Sequence, residues 1–206
     1  MSTPLKLIIL DRDGTINEER DDYVKSPDEW VPNPGSLEAI ARLNHAGWHT
    51  VVATNQSGLA RGLFDTAMLN AIHTKMNQAL AKVGGRIDAV FFCPHGPSEG
   101  CRCRKPLPGL FEMIAERYGV ELTDVPLVGD TLRDLEAGAA VGCQPHLVRT
   151  GKGARLDEEQ LEAIVEKVPG AQVHADLAAF AEHLIRSQRR ERGESGHQDS
   201  GFGHLD

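Results

Sequence analysis

Leu7-Ile8-Ile9-Leu10-Asp11-Arg12-Asp13-Gly14-Thr15 is the stretch whose reading decides the fold. Four consecutive apolar residues closed by turn-forming ones read as a buried strand over residues 6–10. Two carboxylates follow, one residue apart, and Gly14 lets the chain turn away. Parallel α/β proteins place their chemistry at the C-terminal edge of such strands. Two acids there can share a divalent cation and divide nucleophile and acid–base roles between them. Asp-x-Asp-Gly alone also reads as an acidic turn after a strand, so its meaning rests on the rest of the chain.

Outward from this strand, strands and helices alternate. Further strands are expected at 48–53, 87–93, 125–129, 145–148 and 172–174. Helices are expected at 36–46, from Asp65 to the Gly84-Gly85 pair, and at 109–118, 132–141, 157–168 and 177–186. On the longest, Met68, Leu69, Ile72, Met76, Ala79, Leu80 and Val83 follow helical spacing. Residues 17–34, with three prolines, read as an ordered loop. The alternation implies a Rossmann-like α/β fold, a doubly wound parallel sheet covered on both faces. Right-handed crossovers then bring Asp11, Thr54, Lys105 and Asp130 to one rim. One domain over 1–186 is expected. The polar, Gly-rich stretch 187–206, holding His197 and His204, is expected to be disordered.

Composition narrows the function classes. The chain has 206 residues and a formal charge of −8, which argues against a nucleic-acid partner. No apolar run is long enough to span a bilayer, so no membrane partner is expected. Leu7–Leu10 is too short for a signal peptide, and the expected compartment is the cytoplasm. No coiled-coil pattern suggests an oligomer, and a monomer is expected.

Three further stretches carry chemistry. Thr54-Asn55-Gln56-Ser57-Gly58 leaves a strand with a hydroxyl and backbone N–H groups suited to phosphate oxygens, or forms a polar turn. Arg104-Lys105-Pro106 offers an ammonium group beside a proline, able to neutralise a transferring phosphoryl group, or forms a solvated basic loop. Gly129-Asp130-Thr131 places another carboxylate at a strand end, an oxygen ligand for a hard cation such as Mg²⁺, with Asp134 one helical turn on as a further acid or a cap. Cys93, His95, Cys101 and Cys103 supply four ligands within eleven residues. They satisfy a closed, structural tetrahedral zinc site, the other reading being buried free thiols. Cys143 stands apart and reads as a core thiol.

In this order these stretches resemble the haloacid dehalogenase-like (HAD-like) phosphatases, over about residues 6–150. More narrowly they are similar to the D-glycero-D-manno-heptose 1,7-bisphosphate 7-phosphatases. The narrower likeness rests on Asp11-Arg12-Asp13-Gly14-Thr15-Ile16-Asn17, Thr54-Asn55-Gln56-Ser57-Gly58, Cys93-Pro94-His95 and Cys101-Arg102-Cys103-Arg104-Lys105-Pro106. The resemblance implies a small sugar bisphosphate as substrate. It makes Asp11 the nucleophile and Asp13 the acid and base, with Thr54 and Lys105 holding phosphoryl oxygens. It places Mg²⁺ on Asp11, Asp13 and Asp130, and zinc on the Cys/His cluster. Thr131 departs from the Lys that some members carry there. No domain-sized insertion separates the motifs, so no cap domain is expected and selectivity falls to short loops. Candidates are Arg20, Asp21, Asp22 and Tyr23, then Asn55, Gln56, Ser57 and Arg61, and Arg104 beside the zinc loop. For Arg61 and Arg102, solvated arginines are the other reading. Histidinol-phosphate phosphatases share the scaffold and are the nearest alternative. A non-catalytic zinc-loop interaction module is a third reading, opposed by the intact acidic and basic set.

Overall fold

Burial on both faces is what four consecutive apolar residues require, and β1 (Leu7–Leu10) has it at every position. The computed structural model describes residues 4–193. Around β1 stand β2 (His49–Asn55), β3 (Ala89–Cys93), β4 (Pro126–Gly129), β5 (Gln144–Val148) and β6 (Gln172–His174). They form one parallel sheet in the order β3-β2-β1-β4-β5-β6. The helices are α1 (Ser36–His45), α2 (Thr66–Lys82), α3 (Gly109–Tyr118), α4 (Leu132–Ala139), α5 (Glu158–Lys167) and α6 (Leu177–Glu191).

Successive strand residues point to opposite faces, and each face collects its own helices. Ile8, Leu10 and Val52 pack with Leu37, Ile40 and Leu43 of α1, Ile72, Met76 and Leu80 of α2, and Leu177 and Phe180 of α6. Leu7, Ile9, Val51 and Ala53 pack with Leu110, Phe111 and Ile114 of α3 and Ala137 of α4. Ile164 of α5 joins Leu135 and Leu147 on this second side. The chain runs outward from β1 through β2 to β3, then returns to β4 on the other side of β1. Strand order reverses at β1 and β4, and a crevice opens beyond their C-terminal ends.

The helix starts are chemically marked. Asp65, Asp157 and Asp176 each accept a backbone N–H from three residues ahead. Thr131 and Asp134 form a reciprocal capping box at α4. Two expectations need correction. Met68 is 38% exposed, because the buried stripe of α2 runs through Leu69, Ile72, Met76 and Leu80, and Met68 is rotated off it. α6 continues to Glu191, past the expected boundary at residue 186. Its Leu184 and Ile185 still pack on the core, and the Gln, Arg and Glu that follow favour helix. Residues 194–206, including His197 and His204, lie outside the described residues. Among the described residues no helix is long and apolar enough to cross a membrane, and no second domain interrupts the connections between β1, β2 and β3.

Phe180 is fully buried and meets the His146 ring edge-on at 4.8 Å between centroids. Phe180→Ala is expected to cost about 3–5 kcal/mol in urea unfolding. Val173→Ala, at a 40% exposed position, is expected to stay within about 0.5 kcal/mol of the parent.

Candidate active site

Asp11 is the first residue beyond β1, and its N–H extends the ladder by donating to the Val128 carbonyl at 2.9 Å. Asp130 holds the equivalent place beyond β4. Lys105 reaches between the strand ends from the loop before α3. Its Nζ donates to Asp11 Oδ1 at 2.9 Å and to the Ala53 carbonyl at 2.7 Å, and stands 2.7 Å from Asp134 Oδ1. Asp11, Asp130 and Asp134 each bring a carboxylate oxygen within 4.8 Å of the others. All three are buried, as is the lysine.

Three carboxylates against one ammonium leave excess negative charge. Burial, then Asp134, pushes the Asp11 pKa up to about 7, against the pull of Lys105. Burial, then Asp11 and Asp134, raises Asp130 well above the usual carboxylate range. Burial opposes the Lys105 ammonium, but Asp11 and Asp134 outweigh it and its pKa is raised. Asp134 has donors on both oxygens, Lys105 on one and Thr131 on the other. Asp130 accepts the Lys152 N–H on Oδ2 at 2.9 Å, while its buried Oδ1 has no partner. An unpartnered buried oxygen within an oxygen-rich, over-charged cluster fits a hard divalent cation such as Mg²⁺.

Asp13 is held differently. Arg12 grips it through Nε and Nη2, at 3.0 and 3.1 Å, and Asn17 and Gln56 add donors at 2.9 and 3.1 Å. Burial acts to raise its pKa, but the charge of Arg12 and these hydrogen bonds together hold it below its ordinary value. Gly14 makes room for the cluster. Its φ is +85°, and a Cβ there would collide with the Asp130 carboxylate.

These residues open into a cavity of about 280 Å³. Asp11, Asp13, Thr54, Lys105 and Asp130 line it together. Of the selectivity candidates, Arg20, Asp21, Tyr23, Asn55, Ser57 and Arg104 line it too. Gln56 stands behind, linking Thr54 Oγ1 to Asp13. Asn55 clamps the Lys105 backbone, donating to its carbonyl at 3.1 Å and accepting its N–H at 3.0 Å. Asp22 turns away to Arg20 and Lys25. Arg61 lies over the Tyr23 ring at 5.8 Å and does not line the cavity. Arg102 is solvated, pairing loosely with Glu112. Sequence reasoning missed Glu19, Arg133 and Lys152 in the cavity wall, and Arg12 beside Asp13. Gly151-Lys152-Gly153, following a strand on the same rim, is the signal that could have pointed to Lys152.

The Cys/His cluster closes on itself. Cys93 and Cys101 sulfurs are 3.7 Å apart, and His95 Nδ1 is 3.5 Å from Cys93 and 3.3 Å from Cys103. Two thiolates on a tetrahedral zinc ion stand about 3.8 Å apart, so the four side chains are spaced as a zinc ligand set could be and not as a disulfide. Arg104 Nη1 donates to the His95 carbonyl at 3.5 Å, tying this loop to the cavity wall.

Acids beyond two adjoining parallel strands, with a buried lysine between them, define a HAD-type hydrolase. Residues 102–180 match the HAD-hydrolase-like family, and residues 6–137 match the family described as Polynucleotide kinase 3 phosphatase. The D-glycero-beta-D-manno-heptose-1,7-bisphosphate 7-phosphatase of Bordetella bronchiseptica is 60% identical over 88% of this chain and 99% of its own. That of Pseudomonas aeruginosa is 51% identical over 87% and 98%. A crystal structure of the B. bronchiseptica D,D-heptose 1,7-bisphosphate phosphatase complexed with magnesium and phosphate superposes with a TM-score of 0.83 at 60% identity, covering 89% and 99%. The chain belongs to the D-glycero-beta-D-manno-heptose-1,7-bisphosphate 7-phosphatase family of HAD-like hydrolases.

Protein purified without chelators is expected to carry one zinc ion per chain by elemental analysis. A Cys101→Ser, Cys103→Ser variant should lose it, unfold at lower temperature, and lose activity through the adjoining Lys105.

Proposed function

We propose that this chain removes the C7 phosphate of D-glycero-β-D-manno-heptose 1,7-bisphosphate and retains the C1 phosphate. It does so as a cytoplasmic monomer in the synthesis of nucleotide-activated heptose. The observation that carries the reading is the Lys105 ammonium 2.9 Å from Asp11, beside the unpartnered oxygen of Asp130, in one cavity. The names of the close relatives support the substrate and its anomer.

In this reading a carboxylate oxygen of Asp11 attacks phosphorus and the bond from phosphorus to the C7 oxygen breaks. Asp13 gives its proton to that oxygen. Asp13 then takes a proton from water as the water attacks the aspartyl-phosphate, releasing inorganic phosphate and restoring Asp11. Lys105 and Thr54 hold the phosphoryl oxygens, and positioning and charge neutralisation do most of the work. Asp11, the Asp13 backbone carbonyl and Asp130 hold Mg²⁺, which when bound adds positive charge beside the transferring group. The zinc cluster holds the loop that presents Arg104 and Lys105. Arg104 and Arg133 in the cavity wall suit a second phosphate and disfavour the ammonium group of histidinol phosphate, the alternative substrate.

The deciding experiment compares kcat/KM for the β and α heptose bisphosphates, histidinol phosphate and fructose 1,6-bisphosphate, with phosphorus NMR of the product. The β heptose is expected to lead and to keep its C1 signal. Loss of the C1 phosphate, or preference for histidinol phosphate, would reject the assignment. Asp11→Asn is expected to abolish turnover with the thermal midpoint kept, since an amide is no carboxylate nucleophile. Chelation of Mg²⁺ should stop turnover without unfolding, with circular dichroism unchanged and activity restored on re-addition of the metal. Arg104→Ala is expected to lower kcat/KM for the bisphosphate much more than for p-nitrophenyl phosphate. Equal losses would place Arg104 at the reacting phosphoryl group.

A further inference from the structure

Arg12 sits between the two acids in sequence, and its side chain is fully buried and paired with Asp13. A buried guanidinium has five N–H donors and no acceptor, so it persists only where acceptors surround it. Two of its nitrogens fork onto Asp13. The third, Nη1, stands 3.0 Å from Nε2 of His73, sixty-one residues further along the chain.

This contact dictates the state of the histidine. Arginine only donates, so His73 Nε2 must be the unprotonated, accepting nitrogen. Burial first, and the charge of Arg12 second, push the His73 pKa down to about 4, which keeps the ring neutral. His73 lies one turn beyond Leu69 on the buried face of α2, and the helix is anchored by Leu69, Ile72, Met76 and Leu80. A rigid core helix therefore holds the far side of a guanidinium whose near side holds Asp13. Gln56 and Asn17 hold the same carboxylate from other directions.

We propose that Arg12 and His73 are positioning residues that orient the Asp13 carboxylate toward the water that resolves the phosphorylated enzyme. The inference rests on the role given to Asp13 under the proposed function. A carboxylate free to rotate would lose its alignment with the water, and displacements of about 1 Å cost on the order of a hundredfold in rate. Dephosphorylation is the step most exposed to this loss when the departing group needs no proton.

Side-chain reach provides the test. Gln places an acceptor oxygen near the position of His Nε2, while Asn reaches only the position of Nδ1. His73→Gln and His73→Asn thus make similar polar changes at one buried site and differ in whether Arg12 is met. The probe is p-nitrophenyl phosphate with saturating Mg²⁺, followed by stopped flow, because nitrophenolate leaves without general-acid help. His73→Asn is expected to lower steady-state kcat about a hundredfold without raising KM. A rapid burst approaching one nitrophenol per enzyme should precede the slow phase. His73→Gln should stay within a fewfold of the parent and show no such burst. Arg12→Lys keeps the charge but cannot make the fork and the histidine contact together, so it should reproduce the burst.

A parent-like rate in His73→Asn would overturn the inference. So would equal losses in the Gln and Asn variants, or a loss seen only in KM or thermal stability. If the Asn variant does not fold, a missing burst in folded Arg12→Lys overturns it equally. Asp13→Asn separates this inference from the reading beneath it. Full turnover by that variant would remove Asp13 from its acid–base role. Loss of turnover there, with a parent-like His73→Asn, would reject only the positioning by Arg12 and His73.

Discussion

One buried ammonium group holds the rim of this sheet together. Lys105 Nζ meets Asp11 beyond β1, the Ala53 carbonyl in β2 and Asp134 at the start of α4, so its three N–H groups tie three elements at one point. A charge taken from water is tolerated only when paired and hydrogen-bonded, and this one is both. It does not balance the site. Asp11, Asp130 and Asp134 outnumber it by two, the charge of one divalent cation. The same imbalance raises Asp11 and Asp130 above the usual carboxylate range. Destabilised carboxylates and an unpartnered oxygen are the electrostatic mark of a place prepared for a cation and for a phosphoryl group's charge.

Lys105 comes from an irregular loop, and its placement has to be enforced against the entropy of a long side chain and a flexible backbone. Two devices do this. Asn55, at the end of β2, binds both backbone polar groups of Lys105 through its amide. The Cys/His cluster ties Cys93 at the end of β3 to Cys101 and Cys103, two residues before the lysine. A loop with few aliphatic side chains has little surface to bury, and a metal held by these four side chains would supply the order that packing does not. Zinc held there would bear on the chemistry through two peptide bonds, and four protein ligands would leave it no position for substrate.

Asp13 and Asp11 are treated in opposite ways though two residues apart. Asp11 faces the carboxylate cluster and is raised, while Asp13 faces Arg12, Asn17 and Gln56 and is lowered. An ionised Asp13 is ready to take a proton from water, and a cation on Asp11 and Asp130 would draw those carboxylates down toward the ionised state a nucleophile needs. The Gly14 turn makes room for the third acid. It leaves space for the Asp130 carboxylate, which a Cβ at Gly14 would meet.

Much of this was legible in the sequence because it is written in short-range terms. Strand alternation, the cap at Asp65, and the spacing of four ligands within eleven residues depend on covalent neighbours, and the helix expected at 109–118 appears with those limits. The rim convergence of Asp11, Thr54, Lys105 and Asp130 followed from the handedness of parallel crossovers. Side-chain direction was not legible. Asn55 and Gln56 turn inward to hold Lys105 and Asp13, and Arg61 turns aside onto Tyr23. The contacts that decided these matters join residues far apart in the chain, His73 to Arg12, Lys152 to Asp130 and Thr150 to the Gly14 carbonyl. No local period encodes such pairs. The sequence by itself determined which chemical groups reach the rim and which loop gathers four side chains that could hold a metal. Only the packed tertiary structure decided which of them face the substrate and which hold the others, because burial forces every polar group to find a partner and the fold decides which partners are near.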